Sequence, residues 1–566
     1  MAWTRSRRAL LLLIATVASA CATPKPEGGA PTRGGEIVAS LRSEPGNYNR
    51  YFEATAPADV VSLLTHARLV RVNRVTDDLE AALAESWTRS PDGLTYTLAL
   101  RREVRFSDGA PFTSADVLFS FEAAYLPEST IRSGLLVGGK PLQATAVDPH
   151  TAVVRFPERF APGLRLLDIL PILPRHKLQA ALDEGTIARA WTPSQPVALI
   201  AGLGPFVLME HVSGQRMVFT RNPHYWRREG ETQLPYVDRL TVEIVPSQET
   251  EALRLESGAI DLLSNADIRP EDHARFKRLS EQGRLRLIDG GIGLDPNVLW
   301  FNLTPRRQDP KPWLRRKEFR QALSYAADRN AIANTVYLGA AVPVYGPITP
   351  RNTTWYSEGT PTYPHDPAKA RQLLAAAGLV DRNGDGMLED SAGAAARFSI
   401  LVFPSATIRE RTVTMLQEQF RRVGVGVDVV GVDMGSMIAR WSKGDYEAIF
   451  HGWQASATDQ AMNLDFWLSS GSSHYWNARQ PKPATAWEAR IDDLMHQYAA
   501  SADLAERQRL FAEVQRIFGE EQPALYFVAP KVTIATATRV LNPQPAPQIP
   551  QLLWSADTLA VSGPRQ

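Results

Sequence analysis

The stretch that decides the fold is residues 83–117, which read LAESWTRSPDGLTYTLALRREVRFSDGAPFTSADV. Its middle part, residues 94–101, alternates between apolar and polar side chains, and this period of two is typical of a strand with one buried face. Tyr96, Leu98 and Leu100 would share that face. The pattern therefore predicts a half-buried strand over residues 94–101.

A turn and a helix are predicted to follow this strand. Residues 107–109 read Ser-Asp-Gly, which favours a turn because glycine adopts backbone angles that other residues avoid. Thr113 and Asp116 have the spacing of a capping box, in which two side chains satisfy backbone N–H groups at the start of a helix. We predict a helix that opens at Thr113 and continues through Tyr125. Its apolar stripe would consist of Val117, Phe121 and Ala124.

Outward from this stretch, strands and helices keep alternating with loops and show no fixed-period repeat, which favours an α/β or α+β fold. Residues 36–41, EIVASL, suit a strand that runs into a turn at residues 44–47, EPGN. Residues 542–552, NPQPAPQIPQL, contain too much proline for a helix or a central strand. A chain of this length suggests roughly two to four domains.

The composition argues against some classes of protein. The N-terminal segment 1–21 holds three of the 62 basic residues and none of the 61 acidic ones, so the remaining chain has a net charge of −2. That balance argues against a nucleic-acid partner, which needs a basic surface. An apolar content of 44% with 22% charged residues is ordinary for a globular protein.

The N-terminus has the pattern of an export signal. Arginines precede the apolar residues 10–17, and Ala18-Ser19-Ala20 supplies a cleavage site directly before Cys21, the single cysteine of the chain. A lipoprotein peptidase and an ordinary signal peptidase would both cut before Cys21, leaving a lipidated N-terminus or a free thiol. We predict lipidation of Cys21, because a free exported thiol is reactive. Ser6-Arg7-Arg8 leaves the twin-arginine route open beside the general one.

Residues 22–33, ATPKPEGGAPTR, form a linker rich in proline and glycine with nothing to bury. As a flexible coil the linker would span on the order of 20 Å. Such a tether would hold the rest of the chain a short distance from a membrane.

The stretch 83–117 resembles the signature region of the oligopeptide/dipeptide/nickel-type substrate-binding proteins of ABC importers, solute-binding protein family 5. Further blocks follow in the order of that family, and together they cover roughly residues 35–540. The order of the blocks carries the resemblance more than any one of them. They are residues 204–206 (GPF), 221–226 (RNPHYW), 234–238 (LPYVD), 255–261 (LESGAID), 301–302 (FN) and 319–329 (FRQALSYAADR).

The resemblance implies an α/β, two-lobed fold of the periplasmic-binding-protein type, with a hinge and an extra subdomain. Residues 34–77, 202–295 and 523–566 would build the first lobe, residues 78–201 a subdomain inserted on it, and residues 296–522 the second lobe. The ligand would bind between the lobes and be enclosed when they close.

The resemblance also points to ligand-binding residues in the segment 452–476. In peptide-binding relatives a Gly-Trp pair precedes an Asp-rich loop, and one aspartate pairs with the α-ammonium group of the ligand by a charge-assisted hydrogen bond. Asp459 is the nearest match in this chain and Asp465 the second. The Asp-Pro pair of that loop is missing, and residues 460–464 separate the two aspartates. A solvated loop aspartate therefore remains the alternative.

Aromatic and amide side chains complete the set of candidate ligand contacts. Aromatic faces offer a large contact area at a small cost in side-chain entropy, which suits a pocket for varied ligands. The alternative for each of these residues is packing within a lobe. The candidates are Trp453, Trp467, Trp476, Tyr345, Tyr48 and Asn49.

We predict that the protein is not an enzyme and that it has no cofactor and no metal site. The sequence lacks a His-Glu-x-x-His motif, a Gly-x-Ser-x-Gly elbow and a phosphate-binding loop. Residues 381–386, DRNGDG, resemble the start of a calcium loop, but Ala392 stands where an EF-hand needs glutamate, so we predict a turn. His451 and His474 flank the candidate ligand segment, and we interpret both as structural.

These observations together predict a monomeric solute receptor tethered to a membrane by a lipid, in the periplasm or at the cell surface. Its partners would be a peptide or similar polar solute and the permease and ATPase subunits of an ABC importer. Two alternatives stay open. One is an exported hydrolase, and the other is the same fold used as a sensor or chaperone without transport.

Overall fold

The computed structural model describes residues 33–263, 268–305, 310–403, 407–452 and 459–564. Within these ranges the chain forms sheets of eight, five and four strands, each covered by helices. The predicted α/β class is therefore confirmed. We refer to these three as the first, second and third sheet.

The first sheet collects strands from both ends of the chain. Its strand Glu36–Leu41, which confirms the predicted strand, runs parallel to Arg239–Ile244 on one side and to Leu262–Leu263 on the other. The carboxyl ends of these three strands therefore lie at one edge of the sheet. In order across the sheet the strands are Phe206–Val212, Arg216–Arg221, Arg239–Ile244, Glu36–Leu41, Leu262–Leu263, Val528–Ala537 and Leu285–Ile292, and Ala341–Pro343 also pairs with Val528–Ala537.

The second sheet also has parallel strands at its centre. Arg397–Val402 runs parallel to Gly426–Gly431 and to Ala448–His451, so three carboxyl ends again share one edge. All six residues of this central strand except Arg397 and Ser399 are buried. The order across the sheet is Gly426–Gly431, Arg397–Val402, Ala448–His451, Val298–Phe301 and Ala524–Tyr526.

Strand pairing departs from the predicted lobe boundaries at two places. Ala524–Tyr526 falls in the predicted first-lobe segment 523–566, but it pairs with the second sheet. Ala341–Pro343 falls in the predicted second lobe, 296–522, but it pairs with the first sheet. The chain therefore passes from the second sheet to the first at Phe527, the single residue between the two strands.

The third sheet and its helix confirm the reading of the stretch 83–117. The strand predicted over 94–101 is Thr95–Leu100, with Tyr96, Leu98 and Leu100 buried. The predicted helix is Ser114–Ala124, and the capping box forms because the backbone N–H of Thr113 donates to Asp116 Oδ2 over 2.9 Å. The strands of this antiparallel sheet are Ala84–Arg89, Thr95–Leu100, Thr151–Arg155 and Gln143–Asp148.

The remaining regular elements are helices and short hairpins. The other helices are Ala56–Thr65, Arg175–Asp183, Gln248–Glu256, Pro270–Glu281, Lys317–Ala326, Arg329–Ala331, Pro367–Ala376, Thr407–Arg421, Met434–Ser442, Leu464–Trp467, Ala486–Ala500 and Leu504–Glu521. The hairpins pair Val70–Val72 with Leu79–Ala81, Leu136–Val137 with Lys140–Pro141, Arg228–Glu229 with Thr232–Gln233, and Val540–Leu541 with Ala560–Val561. Among the residues the structure describes, no helix combines the length and the apolar character that crossing a membrane requires.

The two arginines that the structure buries in the block Phe319–Arg329 have a structural role. Arg320 and Arg329 are buried, and burial lowers the pKa of both guanidinium groups to about 10. Arg320 donates to the carbonyls of Arg315, Glu521 and Gln522. Arg329 donates to the carbonyls of Ser324, Val344, Tyr363 and Tyr526 and to the hydroxyl of Ser324. Each arginine therefore ties several chain segments together through their carbonyl groups.

A buried ion pair between Asp261 and Arg539 holds the first sheet together. Arg539 Nε and Nη2 lie 2.7 Å from the two carboxylate oxygens of Asp261. The backbone N–H of Val38 donates to Asp261 Oδ2 over 2.8 Å, and Arg539 Nη2 also donates to the carbonyl of Glu36 over 2.6 Å. The pair therefore joins three segments that are far apart in the sequence.

Replacing Asp261 with alanine leaves the Arg539 guanidinium buried without its counter-ion. We expect the free energy of unfolding to fall by about 3–5 kcal/mol, the usual cost of removing one member of a buried pair. Urea denaturation followed by circular dichroism measures this change. The control is Asp428→Ala, which removes the exposed pair with Arg397 and should change stability by less than about 1 kcal/mol. Equal effects of the two substitutions would contradict the role given to Asp261.

Candidate functional site

We refer to the space beyond the carboxyl ends of the parallel strands in the first and second sheets as the interlobe cleft. The helix Pro270–Glu281 follows the first-sheet strand Leu262–Leu263, and the helix Thr407–Arg421 follows the second-sheet strand Arg397–Val402. The two helices meet across the cleft, where Arg411 Nη1 lies 2.6 Å from Glu271 Oε1. Ligands of α/β sheets bind beyond the carboxyl ends of the strands. We therefore treat this interlobe cleft as the candidate site.

Arg409 lies on the second-sheet side of the cleft, one turn into its helix. Its Nε donates to Asn297 Oδ1 over 2.8 Å, and its Nη1 lies 3.3 Å from His451 Nε2. A Cβ at Gly452 would be 3.7 Å from Arg409 Nη2, so the guanidinium also approaches the end of the strand Ala448–His451. In the described part of the chain, Arg409 forms no ion pair with a carboxylate. Burial lowers the pKa of this guanidinium.

Two neutral polar groups hold Arg409 in place. Asn297 Nδ2 donates to the hydroxyl of Tyr337 over 3.2 Å, which leaves its Oδ1 turned to Arg409. Burial first, and the charge of Arg409 second, lower the pKa of His451 to about 3, so the imidazole is neutral near pH 7. A cation held by neutral groups keeps its full charge for an anionic group of a ligand.

Charged side chains on the first-sheet side are satisfied by protein. Arg42 Nε donates to Glu251 Oε2 over 2.8 Å, directly after the strand Glu36–Leu41. Glu44 accepts from the backbone N–H of Gly214 and from the hydroxyl of Ser213, and these bonds lower the pKa of its carboxyl group. Of the described residues of this wall, Arg42 and Glu44 are therefore both paired within the protein.

The structure encloses several of the predicted contact residues in protein. Tyr48 is buried and its hydroxyl bonds to His211 Nδ1, while His211 Nε2 lies 2.9 Å from Glu44 Oε2. Asn49 is buried at the start of a short helical turn, where its Oδ1 accepts from the backbone N–H of Tyr51 over 3.1 Å. Tyr48 and Asn49 thus have structural roles in this conformation.

The aromatic candidates of the second lobe are packed in the same way. Trp467 is fully buried, with its ring centroid 5.3 Å from that of Phe511. Trp476 is also fully buried and stacks on Trp300 at 6.2 Å. Tyr345 is half-buried beneath the guanidinium of Arg329, whose central carbon lies 4.4 Å from the ring centroid. These contacts are those of a core.

The two predicted aspartates differ in their surroundings. Asp459 is buried, and its Oδ1 accepts from Arg507 Nη2 over 2.6 Å and from the hydroxyl of Tyr498 over 2.9 Å. Asp465 is exposed and accepts bonds from Ser472 and Ser473, which close a loop. Asp459 therefore shares its charge with a cation of the protein itself. Trp453 and Cys21 lie outside the described residues.

The remaining polar motifs hold local structure. His474 Nε2 lies 3.3 Å from Glu488 Oε1, and both side chains are buried. In the calcium-like segment, Asp381 accepts from the backbone N–H groups of Gly384 and Gly386. This is the bonding of the turn that the sequence predicts. Carboxylate oxygens of Asp381, Asp385 and Glu389 lie within 4.8 Å of one another.

Sequence reasoning missed Arg409 and Asn297. Arg409 stands among charged neighbours in the run Ile408–Arg411, and no local pattern shows which of them faces inward. Asn297 lies in a loop 112 positions earlier. Their proximity depends on how strands from distant parts of the chain pair, which the order of residues does not display.

Comparisons with known proteins agree with this architecture. The family model described as bacterial extracellular solute-binding proteins, family 5, middle, matches residues 78–475, more than half of the chain. A probable ABC transporter-binding protein of Deinococcus radiodurans is 26% identical and covers 91% of this chain and 89% of its own length. Heme-binding protein A of Haemophilus influenzae is 28% identical, with coverage of 81% and 80%.

A solved structure of similar fold is that of the oligopeptide-binding protein AppA of Bacillus subtilis in complex with a nonapeptide. It superimposes with a TM-score of 0.73 at 23% identity and covers 94% of this chain and 100% of AppA. This likeness supports the two-lobed fold. The alternative of an exported hydrolase is not favoured by any of these matches.

The lowered pKa of His451 gives a testable dependence of stability on pH. An unfolded histidine titrates near 6.5, so between about pH 6.5 and pH 3 the unfolded chain binds a proton that folded His451 does not. The free energy of unfolding therefore falls as pH decreases through this window, by up to about 1.4 kcal/mol per pH unit from this residue.

His451→Gln keeps an acceptor for Arg409 but does not titrate, so we expect a shallower fall in stability between pH 6.5 and pH 4 than in the wild-type protein. Urea denaturation at several pH values measures the slope. The control His496→Gln replaces an exposed histidine and should leave the slope unchanged. An unaltered slope in His451→Gln would contradict a buried neutral imidazole.

Proposed function

Because the chain belongs to family 5 of the bacterial extracellular solute-binding proteins, we propose that it captures a peptide or a similar polar solute in the interlobe cleft. It then delivers the solute to the permease of an ABC importer. The similarity to the oligopeptide-binding protein AppA of Bacillus subtilis supports the peptide class. No covalent step is part of this function.

The proposal rests mainly on the surroundings of Arg409. It is a partly buried cation at the carboxyl edge of the second sheet, held by Asn297 and His451 rather than by a carboxylate of the described chain. A carboxylate of the ligand would supply the missing counter-ion and form charge-assisted hydrogen bonds with the guanidinium. We infer that Arg409 recognises a carboxylate of the solute.

The segment 452–476 supplies our candidates for the other contacts. Trp453, which lies outside the described residues, stays our first candidate for an aromatic contact on the ground of the Gly-Trp motif alone. Asp459 follows six positions later and remains our candidate for an ammonium group of the ligand. Its bond to Arg507 offsets part of its charge, so we expect this contact to contribute less than Arg409 does.

Closure of the cleft would couple binding to delivery. Glu271 and Arg411 pair across the cleft although both side chains are more than a third exposed. An exposed pair of this kind contributes at most about 1 kcal/mol, so the pair alone holds the lobes together weakly. A ligand that contacts both walls adds its own binding energy to the closed state and shifts the population toward it.

We further propose that the mature protein is a monomer tethered outside the cytoplasm by a lipid on Cys21. The first described contact of the chain with the first lobe is at Gly34, two residues before the strand Glu36–Leu41. The backbone N–H of Gly34 donates to the carbonyl of Tyr236 over 2.8 Å. The predicted linker 22–33 ends one residue before this bond. A short tether would keep the receptor near its permease and raise their effective concentration.

Arg409→Met should weaken the binding of a peptide with a free carboxyl terminus by about tenfold or more, since a hydrogen bond to a charged group contributes about 1.5–3 kcal/mol. Isothermal titration with each peptide and with its C-terminal amide measures this effect. The wild-type protein should prefer the free acid, and Arg409→Met should lose that preference.

The matched control is Arg422→Met, directly after the same helix, where the side chain is 68% exposed and pairs with Glu418. This variant should bind like the wild-type protein. Equal loss in both variants would remove the specific role of Arg409, whereas the absence of binding to any peptide would remove the peptide proposal itself.

Mass spectrometry of the mature protein tests the anchor. We expect the mature chain to begin at Cys21 with an added mass of acyl chains. Cys21→Ser should give a chain that is released from membranes by washing with buffer. An unmodified Cys21 at the mature N-terminus would rule out the lipid.

A further inference from the structure

A small cavity lies in the first lobe at the side opposite the interlobe cleft. Its volume is about 70 Å³, and it is enclosed by residues after the helix Ala56–Thr65, by the hairpin from Val70 to Ala81 and by residues near Trp554. Asp557, which lines it, accepts at its carbonyl from the backbone N–H of Tyr236. Tyr236 in turn bonds to Gly34, at the amino end of the central strand, whereas the cleft lies beyond the carboxyl end.

Positive charge predominates around this cavity. Four arginines and two aspartates line it: Arg68, Arg71, Arg74, Arg227, Asp168 and Asp557. Arg71 forms an ion pair with Glu80 at 2.7 Å, and Arg227 forms one with Asp557. These two arginines are therefore neutralised by protein.

Neither Arg68 nor Arg74 forms an ion pair in direct contact with a carboxylate of the described chain. Arg68 Nε donates to the carbonyl of Asp168 over 2.7 Å, and Arg74 Nη1 donates to the carbonyl of Ile549 over 3.0 Å. The carboxylate of Asp168 instead accepts from the backbone N–H of Val72 over 3.2 Å. Burial lowers the pKa of both guanidinium groups, and the negative charge of Asp168, which also lines the cavity, offsets part of this effect.

His66 adds a buried hydrogen-bond acceptor to the same cavity. The hydroxyl of Thr65 donates to the carbonyl of Val61 over 2.7 Å, so it must accept the bond that joins it to His66 Nδ1 at 2.8 Å. The proton of the ring therefore resides on Nδ1. Burial lowers the pKa of His66 to about 3, which leaves Nε2 as a bare acceptor.

Nε2 of His66 has no hydrogen-bond partner among the described residues, although the residue is only 4% exposed. The indole N–H of Trp226, which also lines the cavity, likewise lacks a described partner. A buried polar atom without a partner costs about 1–3 kcal/mol. Beside its paired charges, the described lining of the cavity thus presents one unpaired acceptor, His66 Nε2, and one unpaired donor, the indole N–H of Trp226, and both need a partner.

We propose that this cavity binds a small oxyanion that carries its own O–H group, namely hydrogen phosphate. Its charged oxygens would accept from Arg68, Arg74 and Trp226, and its O–H would donate to His66 Nε2. Sulfate has the same shape but no O–H near neutral pH, so it would place an oxygen against the lone pair of His66.

The size of the cavity fits this ligand class. A buried water needs roughly 10–15 Å³ of such volume, so a cavity of about 70 Å³ accommodates an ion of a few heavy atoms but neither a peptide nor an acyl chain. The site is therefore distinct from the interlobe cleft in both place and ligand.

Titration of the full-length protein with sodium phosphate and sodium sulfate, in buffer free of both and at matched ionic strength, tests the proposal. We expect one phosphate per chain and binding of sulfate weaker by about tenfold or more, the usual discrimination by one buried hydrogen bond. Because Trp226 and Trp554 line the cavity, phosphate should also change the intrinsic fluorescence.

Arg74→Gln should weaken phosphate binding by about tenfold or more, and the control Arg397→Gln, at an exposed pair of the second sheet, should not. Vesicles of phosphatidic acid present a phosphate monoester on a lipid and should not compete. Absence of phosphate binding, equal affinity for sulfate, unchanged binding by Arg74→Gln or binding to the vesicles alone would each overturn the proposal. The comparison of the two anions on the wild-type protein needs no variant to fold.

Discussion

The ion pair between Asp261 and Arg539 determines where the other parts of the first lobe can lie. It joins residues 278 positions apart and, through bonds to the backbone of Glu36 and Val38, fixes the central strand between them. Because that strand is parallel to both of its neighbours, fixing it also fixes the edge at which their carboxyl ends meet. The buried pair thus helps to hold the edge of the first sheet from which the candidate site is built.

Local patterns were sufficient to predict single elements. The strands 36–41 and 94–101 and the helix after Thr113 show their period or their cap within a few residues, and the structure has them at nearly the same bounds. The pairing of strands was not accessible in this way. Leu262–Leu263 has only two residues, too few for any period, yet it carries a central position in the first sheet.

The same limit applies to the candidate site. Asp459 is predicted as a ligand contact because its neighbours resemble a family motif, whereas its bond to Arg507, a residue 48 positions later, has no local signal in the sequence. Arg409 has no local signal in the sequence, because it is distinguished by the absence of a carboxylate partner in the described chain, and this absence is visible only in the structure. Buried charge alone does not identify such a residue, since Arg320 and Arg329 are more deeply buried and direct their donors to carbonyl groups. A buried arginine becomes a candidate for ligand binding when the protein itself supplies too few acceptors for its N–H donors.

Phe527 has a mechanical consequence for the movement of the two lobes. The strand before Phe527 is hydrogen-bonded into the second sheet and the strand after it into the first sheet. Neither strand can therefore shift along its axis without breaking the hydrogen bonds to its own sheet. Phe527 itself is buried, and its carbonyl accepts from the backbone N–H of Val344 over 3.0 Å. A movement of one sheet relative to the other would therefore act on this buried bond as well as on the exposed pair of Glu271 and Arg411.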